Sequence, residues 1–215
     1  MNRVAQPYIQ NHINWCWAVA SEIVGLQYCM RNNRFSKIAL EISKPHTNTR
    51  RTDLRGLRPY VCGIYEDAIV VDSIQLDIVE HAKNTIFNYT GNFPEDDAGK
   101  ARALRYVITG NATSTKPQIV IAGNYYDGQC LFNTERSAID EAIALGNSFI
   151  GNYRRPDGTF HSIVLKPVST SWLELYDPWD GYKAQFHTTQ IFQSGFLTNQ
   201  GVGVIKWIQY IQSIE

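Results

Sequence analysis

The order of hydrophobic patterns along the chain predicts an α+β fold, with a helical N-terminal lobe followed by a C-terminal antiparallel sheet lobe. Three observations carry that prediction. Apolar residues at helical spacing dominate the first half, short apolar segments punctuated by turn residues dominate from Gln118 onward, and no repeat or low-complexity tract interrupts either. At 215 residues the chain is long enough to bury a substantial core as one domain, which we divide into a helical lobe over 1–112 and a sheet lobe over 113–215. A cleft between two such lobes is where a site is expected.

The first helix is predicted over 15–30, because Cys16, Val19, Ala20, Ile23 and Met30 share one face and Asn14 stands at the N-cap position. Cys16 then falls in the first turn, where backbone N–H groups and the helix dipole favour an anion such as a thiolate. Residues 31–64 contain Pro45 and Pro59 and little periodicity, and read as surface loops with room for one short helix. A second helical region spans 66–88, although the clusters Ile69-Val70-Val71 and Ile78-Val79 leave helix and strand open there. A third helix is predicted over 95–108, with acids in its first turn and Ala98, Ala101, Leu104 and Ile108 on one face. Beyond Gln118, Ile119 to Ala122 form a strand, and a helix over 137–145 stops at Gly146. Strands follow over 148–153, 161–168, 172–176, 183–187 and 202–211, separated by turns such as Pro156-Asp157-Gly158 and Asp180-Gly181, and they read as an antiparallel meander.

Composition narrows the function. Basic and acidic residues balance at 20 each, so the chain has no general attraction for nucleic acid or an anionic membrane. Locally, residues 31–62 carry eight basic side chains against Glu41 and Asp53, and 63–97 are acidic. These read first as solvated faces and second as a basic lip that selects acidic substrate regions. No apolar run is long enough for a membrane span and no signal-peptide pattern opens the sequence, so the chain is read as soluble, not membrane-inserted and cytoplasmic, with export as an effector or toxin left open. Four cysteines without close pairs or Cys/His ligand spacing argue against a structural zinc site and a dense disulfide framework, and the thiol chemistry expected of this chain needs no metal and no organic cofactor. Cys29, Cys62 and Cys130 read as buried thiols, a Cys29–Cys62 bridge being reserved for an oxidising compartment.

The chemistry concentrates in the run from Gln10 to Ala20, which places a thiol between two tryptophans at a helix start. A cysteine is mostly thiol at neutral pH, so catalysis needs a neighbour that takes its proton. His161, at the head of a strand, is the candidate base, and Asp177 the carboxylate that fixes its tautomer and stabilises its cation. The Gln10 side-chain amide and the Cys16 backbone N–H are candidates for an oxyanion hole, an interaction commonly worth about 2.7 to 4 kcal/mol. Asp180 competes with Asp177 for the orienting role, and each residue also has a structural reading: a buried thiol, a strand histidine, a turn aspartate. His12, His46, His81 and His187 read as structural or exposed, and Trp172, Tyr176, Trp179 and Tyr182 as core and turn packing.

The four parts in this order resemble the papain-like cysteine peptidases. Gln10 precedes Cys16 by six positions, Trp-Ala follows the cysteine, and Asp177-Pro178-Trp179 lies sixteen positions after His161. An Asp before the Pro, instead of the Asn of plant papains, resembles the bacterial branch that includes leader-peptide peptidases of bacteriocin exporters and papain-like effector proteases. The resemblance implies a papain-like fold with the active site between the lobes. It also implies a cysteine endopeptidase acting on a peptide or protein through a thioester on Cys16, and a Trp179 that shields the histidine pair. The chain departs from the family in showing no recognisable inhibitory propeptide in the nine residues before Gln10, which leaves removal of one open, and in lacking the cysteines of the plant enzymes' disulfide set. Two further readings keep the same residues: a transglutaminase-like acyltransferase or deamidase, and a catalytically silent papain-like binding module.

Overall fold

A computed structural model describes residues 15–43, 51–53, 70–83, 97–123, 131–155 and 158–213, and the chain forms two compact units, Met1–Ser114 and Thr115–Glu215. The class is α+β: helices dominate the first unit and antiparallel sheet the second.

In the first unit, α1 (Cys16–Asn32) is the central element, with thirteen of its seventeen residues buried, among them the polar Ser21 and Glu22. That all-round burial explains why its polar and apolar faces are weakly separated. The helix starts one residue later than the sequence predicts and runs two residues further. Its cap position is Trp15, which makes no side-chain capping bond, and Asn14 lies outside the described residues. Asn33 ends it in the left-handed conformation, with its N–H directed to the carbonyls of Cys29 and Met30. Met30, assigned by spacing to the buried face, is 50% exposed because the last turn runs past the core.

The short helix α2 (Lys37–Ser43) follows, and Ser36 fixes its start: its hydroxyl accepts from the Ala39 N–H at 2.9 Å and donates to the Val107 carbonyl at 2.6 Å. The pair β1 (Arg51–Asp53) and β2 (Val70–Asp72) corrects the loop expected at the first and decides for strand at the second, where helix and strand stood open. Val70 and Val71 of the β-branched run lie in strand, and the helix α3 begins only at Ser73, running to Lys83. α4 (Asp97–Thr109) packs on both α1 and α3. The core joins Trp15, Trp17, Leu26 and Cys29 to Ile42, Ile78, Val79 and Val107. Gly25 permits the close approach of α1 and α4, since a Cβ there would lie 2.5 Å from Val107 Cγ1.

The second unit holds β3 (Gln118–Gly123), α5 (Leu131–Thr134), α6 (Arg136–Ala144), β4 (Phe149–Arg154), β5 (Phe160–Pro167), β6 (Trp172–Tyr176) and β7 (Lys183–His187). A five-residue π-helical turn (Gln190–Ser194), a small hairpin of β8 (Phe196–Thr198) and β9 (Gly201–Gly203), and β10 (Ile205–Ser213) complete it. The six-stranded sheet has the order β3-β10-β4-β5-β6-β7 with every pairing antiparallel. Strands β4 to β7 form the expected meander. The last strand does not extend it but returns to lie between β3 and β4, and the single strand expected over 202–211 is two, β9 and β10. The core of this unit gathers Phe149, Tyr153, Ile163, Leu165, Leu175, Phe192 and Ile208. Among the described residues, no helix is long and apolar enough to cross a membrane.

Candidate active site

Strand register brings His161 and Asp177 together. β5 and β6 pair Val164 with Tyr176, so continuing by one residue sets 163 opposite 177, and His161 lies two residues further along the same face. The two side chains are thus diagonal cross-strand neighbours. His161 Nε2 and Asp177 Oδ1 are 2.6 Å apart, and both residues are 0% exposed. The same carboxylate oxygen accepts the Trp179 backbone N–H at 2.8 Å, an Asx turn that fixes its rotamer. Backbone bonds from Asp177 N to Tyr182 O and from Gly181 N to Asp177 O close the turn. Oδ2 is buried and has no hydrogen-bond partner among the described residues. Asp180 is excluded from the orienting role, because its oxygens accept from the Tyr182 N–H and from Asn199 Nδ2.

The other imidazole nitrogen meets a residue that motif spacing did not single out. β4 and β5 pair Tyr153 with His161, and the turn between them closes through the Arg155 N–H and the Thr159 carbonyl, at 2.7 Å. Arg155 therefore sits diagonally across from His161 on the β4 side, as Asp177 does on the β6 side. Its Nη2 lies 2.8 Å from His161 Nδ1. A guanidinium only donates, so Nδ1 is the acceptor, and Nε2 carries the proton that it donates to Asp177. This is the tautomer a base working through Nδ1 requires. The guanidinium also lies 5.2 Å from the Trp179 ring centroid, so that indole packs on Arg155, where a shield for the histidine pair was expected.

Tyr153 completes the surroundings. Its ring meets His161 edge-on at 5.6 Å and Phe196 at 5.2 Å, and its hydroxyl lies 3.2 Å from Thr198 Oγ1. Burial pushes the Tyr153 hydroxyl up to about 12, against the opposing pull of its Thr198 hydrogen bond and the Arg155 guanidinium. Gly203 is what lets β9 lie against this ring, since a Cβ there would be 2.3 Å from Tyr153 Cδ2.

Cys16 is the first residue of α1, buried at 5% exposure, and carries a thiol, not half of a disulfide. Cys29 is likewise a buried thiol, its Sγ 3.9 Å from the Ile108 carbonyl oxygen, and burial pushes its pKa up, which keeps it neutral. Gln10, His12, His46, Cys62 and Cys130 lie outside the described residues, as does most of the basic and acidic stretch over 44–69. His81 is exposed and stacked on Tyr106 at 3.8 Å, and His187 Nδ1 is 2.8 Å from Thr189 Oγ1. No group of three or more His, Cys, Asp or Glu side chains suited to a metal ion occurs among the described residues.

An arginine on the Nδ1 side was legible only through register. Counting by twos from His161 across a hairpin that turns at Pro156-Asp157-Gly158 sets Tyr153 and Arg155 on the histidine's face. Comparison with protein-family models, curated proteins and solved structures gives no match to this chain.

Proposed function

We propose that the protein is a papain-like cysteine endopeptidase, with Cys16 as nucleophile, His161 as general base and acid, Asp177 orienting the imidazole and Gln10 contributing to the oxyanion hole. The observation that carries this reading is the buried His161–Asp177 pair, whose tautomer leaves Nδ1 as the proton-accepting nitrogen. The position of Cys16 in the first turn of α1 supports it too, because that end of a helix favours the thiolate.

In this mechanism Cys16 Sγ attacks the scissile carbonyl carbon while its proton resides on His161. The oxyanion forms against the Gln10 side chain and the Cys16 N–H. The C–N bond then breaks, the imidazolium gives its proton to the departing amine, and a thioester remains on Cys16. Water, deprotonated by the same imidazole, hydrolyses the thioester and restores the thiol. Papain-like architecture, with the site between two lobes, belongs to this proposal.

Incubation with a peptide library, followed by mass spectrometry, tests it. Wild-type protein is expected to yield fragment pairs that together gain one water, and Cys16→Ala none. Amine addition to glutamine, or loss of ammonia without backbone cleavage, would replace peptidase with acyltransferase or deamidase. No Cys16-dependent product of any kind would end the proposal.

A further inference from the structure

We propose that Arg155 is a carboxylate-recognising residue of the site, and that an anionic group on the substrate draws its guanidinium away from His161 Nδ1. The inference rests on the peptidase reading only for the identity of the ligand, a peptide. The fork itself stands on geometry.

Arginine presents Nε–H and an Nη2 hydrogen side by side, an edge that matches the two oxygens of a carboxylate. Here Nη2 donates to the lone pair of His161 Nδ1 at 2.8 Å, and the guanidinium also reaches the Tyr153 hydroxyl. Nε on the same edge is buried and has no hydrogen-bond partner among the described residues. An imidazole nitrogen can satisfy half of that edge, and a carboxylate can satisfy all of it. The side chain is half-buried with its guanidinium against the Trp179 indole, so it is poorly hydrated for a cation and responsive to an incoming anion. Asp177, on the far side of His161, is committed through Oδ1 to His161 and to the Trp179 N–H.

Exchange of the imidazole for a carboxylate has a second effect. Nδ1 is the nitrogen that must accept the Cys16 proton, and in this arrangement it is occupied by the guanidinium. A bound carboxylate would satisfy Arg155 and release Nδ1 together, so acidic substrates would assemble the base that cleaves them. The carboxylate has two possible sources in a peptide, a Glu or Asp side chain and the C-terminal group.

The test uses the full chain carrying Cys16→Ala, so that binding is read without turnover. Three sets of fluorescent octapeptides of otherwise matched sequence serve as probes: N-acetylated and C-amidated with Gln scanned through each position, the same with Glu, and the Gln set ending in a free carboxylate. One of the two acidic sets is expected to bind about 10- to 100-fold tighter than the neutral set, and which one identifies the source. Arg155→Gln and Arg155→Lys should both bring that preference to within about twofold, because lysine keeps the charge and loses the fork. If the glutamine variant does not fold, the lysine variant carries the test. The His161 Nδ1 resonance in a nitrogen-15 spectrum should shift when the acidic probe binds. Equal binding of the three sets, no binding by any, or a preference that survives Arg155→Lys would overturn the proposal. Peptide cleavage without charge preference would remove the fork and leave the peptidase, whereas charge preference without Cys16 chemistry would do the reverse.

Discussion

Asp177 makes two hydrogen bonds through one oxygen, and substitutions that keep or remove that oxygen separate orientation from packing. Asp177→Ala leaves a buried imidazole N–H without its acceptor, which should cost about 1–3 kcal/mol by urea unfolding and lower turnover by about 100-fold. Asp177→Asn retains an oxygen at the same place, with the tautomer still set by Arg155, and should lose less on both measures. An asparagine variant as impaired as the alanine variant would mean that charge, not orientation, is the contribution of this residue. Tyr153→Phe removes the hydroxyl facing Thr198 and keeps the ring against His161, so it should cost about 0.5–1.5 kcal/mol of stability while turnover stays near wild type. At this scale the sequence was informative where spacing encodes register: the sixteen-position separation of His161 and Asp177 spans one tight hairpin, which makes the pair readable in advance. Arg155 was hidden because it stands at the junction of strand and turn, where a Pro-Asp-Gly signal announces a loop and says nothing of which face the preceding side chain joins.

Elements set how firmly these residues are held. Gly25→Ala would drive a methyl into Val107, an overpacking expected to cost about 1–3 kcal/mol, and a Gly25→Ala/Val107→Ala pair should recover part of that loss. Additive losses in that double-mutant cycle would show that α1 and α4 do not press together at this point. In the sheet unit, Glu141 of α6 accepts from Tyr210 and Gln212 of β10, each at 2.6 Å. Those two hydrogen bonds, Tyr210 first, hold the Glu141 carboxyl below its ordinary value. A lowered carboxylate stabilises the fold above its unfolded pKa, and that contribution disappears as pH falls through the folded value. Tyr210→Phe should therefore narrow the difference in urea midpoint between pH 7 and acid, and an unchanged difference would remove Glu141 from the acid response. The pattern of apolar residues located α1, α4, α6 and the β4–β7 meander. It did not resolve 66–88, where a β-branched run and a helical period adjoin, nor the return of β10 between β3 and β4. Strand order is decided by long-range pairing, and no local period carries it.

Over the whole molecule the proposed chemistry makes one demand: the sulfur of Cys16 must give its proton to the imidazole of His161. The order Gln10, Cys16, His161, Asp177 in the sequence and the buried, oriented His161–Asp177 pair motivate that proposal. Cys29 supplies an internal reference, since burial raises its pKa and keeps it a slow thiol. The decisive measurement is the second-order rate of Cys16 alkylation by iodoacetamide at pH 6, read by peptide mass mapping in the wild-type chain and in His161→Ala. The account predicts that Cys16 reacts well ahead of Cys29, and that the His161→Ala variant, still folded by circular dichroism, reacts about 100-fold more slowly at Cys16. Equal Cys16 rates in the two proteins would contradict it.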